Sequence, residues 1–302
     1  MANLKEIRKR IVSVKNTQQI TRAMRMVAAA KLRRAQESLM QGRPYALNLL
    51  STIRRLSSTA SFDSTTHPLM RKPTHSRTLL LVVTSDRGLC GAFNSNIIRK
   101  AERFIEENEN VLDSIDMAFI GRKGYDYFRR RTDNIAHYFR DIYDGLSSEK
   151  IRDNVAPALI KEFVDEKYDR VFLLYNEFKS VIAQNVVVES VLPIAKDELN
   201  RLSEEGMLSD HAMDDEDLSE YIYEPDPNQL LEYLLPLYIS TQIFHACEES
   251  FAAEMGARMS AMESATNNAS DLIASLTLAF NRARQAAITT EIIEIVSGAE
   301  AL

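Results

Sequence analysis

At 302 residues and 45% hydrophobic content the chain can bury a real core, which excludes a disordered acidic protein. Nine glycines, eight prolines and no tryptophan point to long helices rather than to many working loops. The net charge of −6 conceals a segregation, with 13 Lys/Arg against Glu6 and Glu37 in residues 1–55, and 12 acids against Arg201 alone in residues 197–226; such blocks speak of partners.

The first region, residues 1–57, reads as one long helix. Leu4, Ile7, Ile11, Val14, Gln18, Thr21, Arg25, Ala28, Leu32, Ala35 and Leu39 step by three and four, the heptad seam of a coiled coil. Gln18, Thr21 and Arg25 interrupt the seam with three polar positions, while Ile20, Met24 and Val27 form a second apolar stripe beside it. The helix therefore faces two things: a coil partner and something else. The basic face could suit nucleic acid or anionic lipid. Yet Tyr45 is the region's one aromatic and the seam demands a helical partner, so solvated charge or an acidic protein surface is the better reading. "GRPY", Gly42 to Tyr45, is expected to kink or end the helix, since Pro44 removes a hydrogen bond. "MANLKEIRKRIVSV" lacks the apolar core of a signal peptide, and no stretch approaches ~20 uncharged apolar residues, which predicts a soluble chain or one held peripherally by partners.

A Ser/Thr/Pro-rich linker, 58–77, leads into strand–helix alternation over 78–196. The predicted order is strand "TLLLVVT", helix "NSNIIRKAERFIEEN", strand "DMAFIG", short helix "KGYDYFRRR", strand "IAHYF", helix "SEKIRDNVAPALIKEFVDE", and strands "RVFLLYNEF" and "NVVVESVLPI". That alternation predicts an open, Rossmann-like α/β sheet covered by helices. The acidic stretch 197–226 reads as a surface loop or hairpin.

Residues 227–302 are helical again, with Asp226 as N-cap and Pro227 in the first turn. Met255, Met259, Met262, Thr266, Ala269, Ile273, Leu276, Phe280, Ala283 and Ala287 form a second seam. Two such helices pair antiparallel into a shaft that protrudes from the α/β part. The fold class is thus mixed α/β with a long antiparallel coiled coil of the two ends. Counted outward, the C-terminal arm overhangs by ~18 residues, roughly 27 Å. The overhang "QAAITTEIIEIVSGAEAL" has isoleucines on several faces, so a partner is expected to enclose it.

"TSDRGLCGAFNSN", between the first strand and its helix, raises the question of a phosphate cradle. It has neither the lysine nor the spacing of GxxxxGK[ST], and only Gly88 and Gly91 stand three apart where GxGxxG is needed. "GRKG", Gly121 to Gly124, matches no phosphate motif either. The loop reads as a tight scaffold turn, with Gly88 supplying a backbone angle that other residues resist. No GxSxG, no Cys–His arrangement of known spacing, no HxxxH and no HExxH supports catalysis or a metal site, and Cys90 and Cys247 suit a reducing compartment. No catalytic, cofactor-binding or metal-binding residues are assigned.

"LKEIRKRIVSVKNTQQITRAMRMVAAAKLRRAQ" resembles the N-terminal helix of the gamma subunits of F-type ATP synthases, and "VVTSDRGLCGAFNSNI" resembles that family's first strand and loop. "ARMSAMESATNNASDLI" and "ARQAAITTEIIEIVSGAEAL" are similar to its C-terminal helix and closing signature. The resemblance covers essentially the whole chain. It implies a rotor shaft that couples proton flow through a membrane ring to ATP synthesis or hydrolysis. The partners implied are catalytic and non-catalytic head subunits around the coil, and the epsilon subunit and membrane ring at the α/β domain. By matching positions, head contacts fall to Arg22, Met24 and Arg25 on the first helix, and to Arg258, Gln285, Thr289 and Glu291 on the second. The arginines would face acidic loops of the head, and Thr289 and Glu291 would anchor the tip. The acidic stretch is longer than is usual in the family, and the paired-cysteine insertion of chloroplast members is absent. An N-terminus that does not read as a transit peptide favours a bacterial member, and the resemblance then implies a subunit peripheral on the cytoplasmic face of the cell membrane, with no cofactor and no nucleic acid. The competing readings are a nucleotide-binding α/β enzyme with a coiled-coil oligomerisation arm, and a nucleic-acid-binding coiled coil.

Overall fold

The computed structural model describes residues 4–58, 67–140, 142, 148–181, 183–194, 224 and 226–300. Most of the acidic stretch 197–226, and residues 59–66 of the linker, lie outside the described residues. The chain divides into two compact units: residues 31–257, and residues 1–30 with 258–302.

The larger unit is built on a five-stranded sheet of β1 (Arg77–Val83), β2 (Ser114–Ile120), β3 (Ile135–Phe139), β4 (Arg170–Phe178) and β5 (Gln184–Leu192), in the order β3-β2-β1-β4-β5. The first four strands are parallel and β5 pairs antiparallel with β4. β1 is central and buried on both faces, which explains why its sequence is a continuous apolar run rather than an alternation. Leu80 and Val82 pack beneath α2 (Phe93–Asn108) and α3 (Arg122–Phe128), with Phe93, Ile97 and Phe128. Leu79, Leu81 and Val83 face the opposite layer, where Ile53, Leu56, Leu159, Leu235 and Ile239 close the main core.

The terminal helices are α1 (Leu4–Ser58) and α6 (Pro227–Glu300). α6 starts as its sequence demands: Asp226 Oδ2 accepts the Asn228 N–H at 3.0 Å, with Pro227 in the first turn. α1 runs unbroken through Pro44, as the reading of residues 1–57 as one helix expects, so of the two outcomes expected at that proline it does not end there. Met40 and Pro44 are exposed, so the carbonyl that loses its donor is on the hydrated side. The lost turn costs about 3 kcal/mol. Leu49, Leu50, Ile53 and Leu56 beyond it are buried, and at about 1.5–3 kcal/mol for each side chain they outweigh that cost.

The helix predicted from Ser148 to Glu166 is broken into α4 (Ser148–Lys150), a π turn (Ile151–Val155) and α5 (Ala156–Val164). Pro157 has no N–H to return to the preceding turn, and the Ala156 N–H reaches back five residues to the Ile151 carbonyl instead. The linker also contributes to the fold: Leu69 and Met70 are buried, and Ile194 N–H donates to the Leu69 carbonyl at 2.9 Å.

In the smaller unit α1 and α6 run antiparallel. The expected α1 seam is the inner face: from Ile7 to Ala28 every seam residue is buried or half-buried, and the intervening positions are exposed except Met24. No helix among the described residues is long and apolar enough to cross a membrane.

Candidate partner surfaces

The glycine-bearing loop after β1 occupies the place where doubly wound sheets bind ligands, because the strand order reverses direction at β1. Its polar groups are nonetheless consumed internally. The first three amides of α3 are taken by the loop itself: Arg122 N–H donates to Asp86 Oδ1 at 2.9 Å, Lys123 N–H to the Ser85 carbonyl at 3.0 Å, and Gly124 N–H to Thr84 Oγ1 at 2.9 Å. Asn94 locks the other side, accepting the Ser85 N–H at 3.0 Å and donating to Ser85 Oγ at 2.7 Å. The α3 amides nearest the loop are thus already bonded, and at the start of α2 the Phe93 N–H donates to the Cys90 carbonyl at 3.2 Å.

The reading of Gly88 is corrected here. Gly88 does not adopt a positive φ; Leu89 (φ 65°) and Gly91 (φ 57°) make the turn. A Cβ on Gly88 would meet only Lys123 Cε, at 3.9 Å. The indispensable glycine is Gly121, at φ +89°, where a Cβ would lie 1.9 Å from the Thr84 carbonyl oxygen.

In the coil, the polar interruption of the seam is answered across the pair. Gln18 Nε2 donates to Ser270 Oγ at 2.6 Å, the Thr21 and Thr266 hydroxyls are 2.8 Å apart, and Arg25 Nη1 donates to Glu263 Oε1 at 3.0 Å. Arg25 is thus engaged within the chain as well as partly exposed. Arg22 is exposed, whereas Met24 and Arg258 are half-buried. Ile20, Met26 and Val27 are large apolar side chains left exposed on the outer face of α1. Gln285, Thr289 and Glu291 are exposed on α6, where Thr289 Oγ1 bonds back to the Gln285 carbonyl at 2.9 Å. The seven residues therefore do not converge on one pocket; they are spread along the coil.

The three polar rungs fix a register in which Leu4 stands opposite the turn around Arg284. Ala287 is half-buried, and every residue from Ile288 to Ala299 is exposed. Ile288, Ile292, Ile293, Ile295 and Val296 point to several sides of this segment without cover.

Sequence reasoning missed a basic groove between α2 and α3. It is an open cavity of about 780 Å³ whose lining includes Arg99, Arg122, Lys123, Arg129 and Arg130. Asp126 pairs with Arg122 at 3.0 Å and with Arg129 at 3.1 Å. The cation density of "RKGYDYFRRR" was a legible signal, but its convergence with Arg99 depends on the packing of two helices.

A tightly hydrogen-bonded turn after β1, two long terminal helices that pair antiparallel and an apolar tip left exposed are the features of a coiled-coil structural subunit. A family model described as ATP synthase matches residues 3–302. The ATP synthase gamma chain of Geotalea daltonii is 48% identical over 302 residues, covering 100% of this chain and 99% of that one. Among solved structures, the central stalk/c-ring of the Tetrahymena thermophila mitochondrial ATP synthase matches at 26% identity and a TM-score of 0.58, over 82% of this chain and 99% of that one. A chain of the Euglena gracilis mitochondrial ATP synthase, at 21% identity and a TM-score of 0.65, covers 99% of this chain and 94% of that one and shares the fold. The chain belongs to the ATP synthase gamma-chain family, a subunit of the complex other than the catalytic one.

Proposed function

We propose that the chain is the rotating central shaft of a bacterial ATP synthase, coupling proton flow through a membrane ring to ATP synthesis or hydrolysis in a catalytic head. The observation that carries this reading is the tip: a helix exposed from Ile288 to Ala299 with large apolar residues on several sides needs an enclosing partner. The surrounding catalytic and non-catalytic subunits supply that enclosure. Arg22, Met24, Arg25, Arg258, Gln285, Thr289 and Glu291 line successive contacts with them, so rotation presents a changing face to each catalytic subunit. The α/β unit engages the epsilon subunit and the membrane ring, and the complex holds the chain peripherally on the cytoplasmic face of the membrane.

Native mass spectrometry of the tagged chain from gently solubilised membranes tests this reading. A nucleotide-hydrolysing head should accompany it. A chain that emerges alone, or that binds ATP tightly by itself, overturns the proposal in favour of the enzyme reading.

A further inference from the structure

α6 carries an unusual density of buried polar groups where it packs on the β4/β5 side of the sheet. Glu248, Ser250 and Glu254 are buried, and the Glu249 side chain is only 16% exposed. Glu248 accepts the Ser38 hydroxyl of α1. Glu249 is served far less well. Its Oε2 is buried with no hydrogen-bond partner, its Oε1 lies 3.8 Å from His245 Nδ1, beyond hydrogen-bond length, and the Phe178 N–H is the donor that acts on the carboxylate.

The strands facing it add carboxylates. Glu177 of β4 pairs with Lys179 at 2.5 Å, and Glu189 of β5 accepts from Tyr175 Oη at 2.9 Å. Lys179 is a cation shared between Glu177, its ion-pair partner, and Glu249. Burial, then the charge of Arg43 of α1, push His245 below its ordinary value. The neutral form of His245 is thereby favoured, which weakens it as a counter-charge for Glu249.

We propose that Glu249 is a proton-operated latch: in its protonated form it seats α6 against β4 and β5, and its ionisation loosens that seat. Burial, then the charges of Glu177 and Glu189, raise the Glu249 carboxyl to about 7, against the opposing Phe178 N–H and Lys179. The folded chain thus holds a proton that the unfolded chain releases at ordinary carboxylate pH. The stabilisation is fully present below that ordinary range, falls as pH rises toward about 7, and is gone above it. Stiffness of the helix that carries torque in the function proposed above would then respond to the pH around the α/β unit.

The test is hydrogen exchange of the full-length chain, reading intrinsic-rate-corrected protection of the α6 amides around His245 to Ala252. Between pH 6 and pH 8, wild type should lose roughly tenfold in protection through this one titration, while Glu249→Gln, which cannot ionise, should lose none. A Glu177→Gln variant should move the transition to lower pH, because it removes a repelling charge and frees Lys179 for Glu249. Equal pH dependence in wild type and Glu249→Gln, or a transition that Glu177→Gln leaves in place, overturns the latch. Neither outcome depends on rotor assembly, so the latch can fail while the rotor reading stands.

Discussion

Deleting Ile292 to Leu302 separates the bearing from the fold, because Ile292 to Ala299 are exposed throughout; Ala301 and Leu302 lie outside the described residues. Ile292, Ile293, Ile295 and Val296 are 55%, 58%, 72% and 51% exposed. Full burial of such a side chain contributes about 1.5–3 kcal/mol, so covering the exposed half of four of them contributes roughly 3–6 kcal/mol. That corresponds to about a 10²–10⁴-fold weaker hold on the head, at 1.4 kcal/mol for each tenfold. The truncated chain should keep its helicity per residue and its melting temperature by circular dichroism, since no seam residue is lost. Reconstituted complexes should form in lower yield and rotate under ATP with reduced torque or speed. Loss of the coiled coil on truncation, seen as a collapse of the helical signal, would show that the tip belongs to the fold and refute the overhang.

Three further outcomes follow from the same geometry. Gly121→Ala should destabilise the chain severely in a denaturant titration, by more than the ~1–3 kcal/mol typical of strained backbone, because its Cβ meets the Thr84 carbonyl at 1.9 Å; Gly88→Ala should be nearly neutral. Thr84→Val should cost about 1–3 kcal/mol in the same assay by leaving the buried Gly124 N–H without its acceptor. Arg22→Glu with Arg25→Glu should leave the fold within about 1 kcal/mol, as exposed ion pairs are weak, but lower the protons pumped per ATP in vesicles; unchanged pumping removes these arginines from the coupling path.

The seams were legible in the sequence because heptad periodicity is local and the pairing of α1 with α6 repeats it without exception from Ile7 to Ala28. The apolar strands β1 and β4 were legible for a similar reason: burial on both faces forces a continuous apolar run. What escaped reading depends on contacts between distant segments. Which of the two outcomes expected at Pro44 would hold, a kink or an end, could not be read locally, because the helix beyond it is held by Leu49, Leu50, Ile53 and Leu56 finding cover in the core. The need for glycine at 121 rather than 88 is set by the Thr84 backbone, thirty-seven positions earlier and across a strand pair. Neither the α2/α3 groove nor the crowding of Glu177, Glu189 and Glu249 has any spacing that a single chain could reveal.

The polar rungs of the coil carry the argument one step further. An uninterrupted apolar seam can slide by a heptad and still bury comparable area, so it holds two helices together without fixing how far along they pair. Gln18 with Ser270, Thr21 with Thr266, and Arg25 with Glu263 are three successive polar matches, and Thr21 is buried. Sliding by one heptad would set those polar groups against apolar neighbours such as Ile273, at about 1–3 kcal/mol for each buried group left unpaired. Such penalties discriminate between registers even though each pair adds little stability of its own. A shaft that transmits torque requires this discrimination, because slippage between its two strands would dissipate the twist. The rungs lie beside the exposed Ile20 and Val27, so the register is pinned where the second apolar stripe is presented to a partner. Exchanging Arg25 and Glu263 as a pair should preserve register and melting temperature, whereas Thr21→Leu with Thr266→Leu should raise the melting temperature and loosen the register. Spin labels on the exposed faces of the two helices would read that difference as a single distance in the charge swap and a broadened distribution in the leucine variant; a single sharp distance in the leucine variant would show that the seam fixes its register without the threonines.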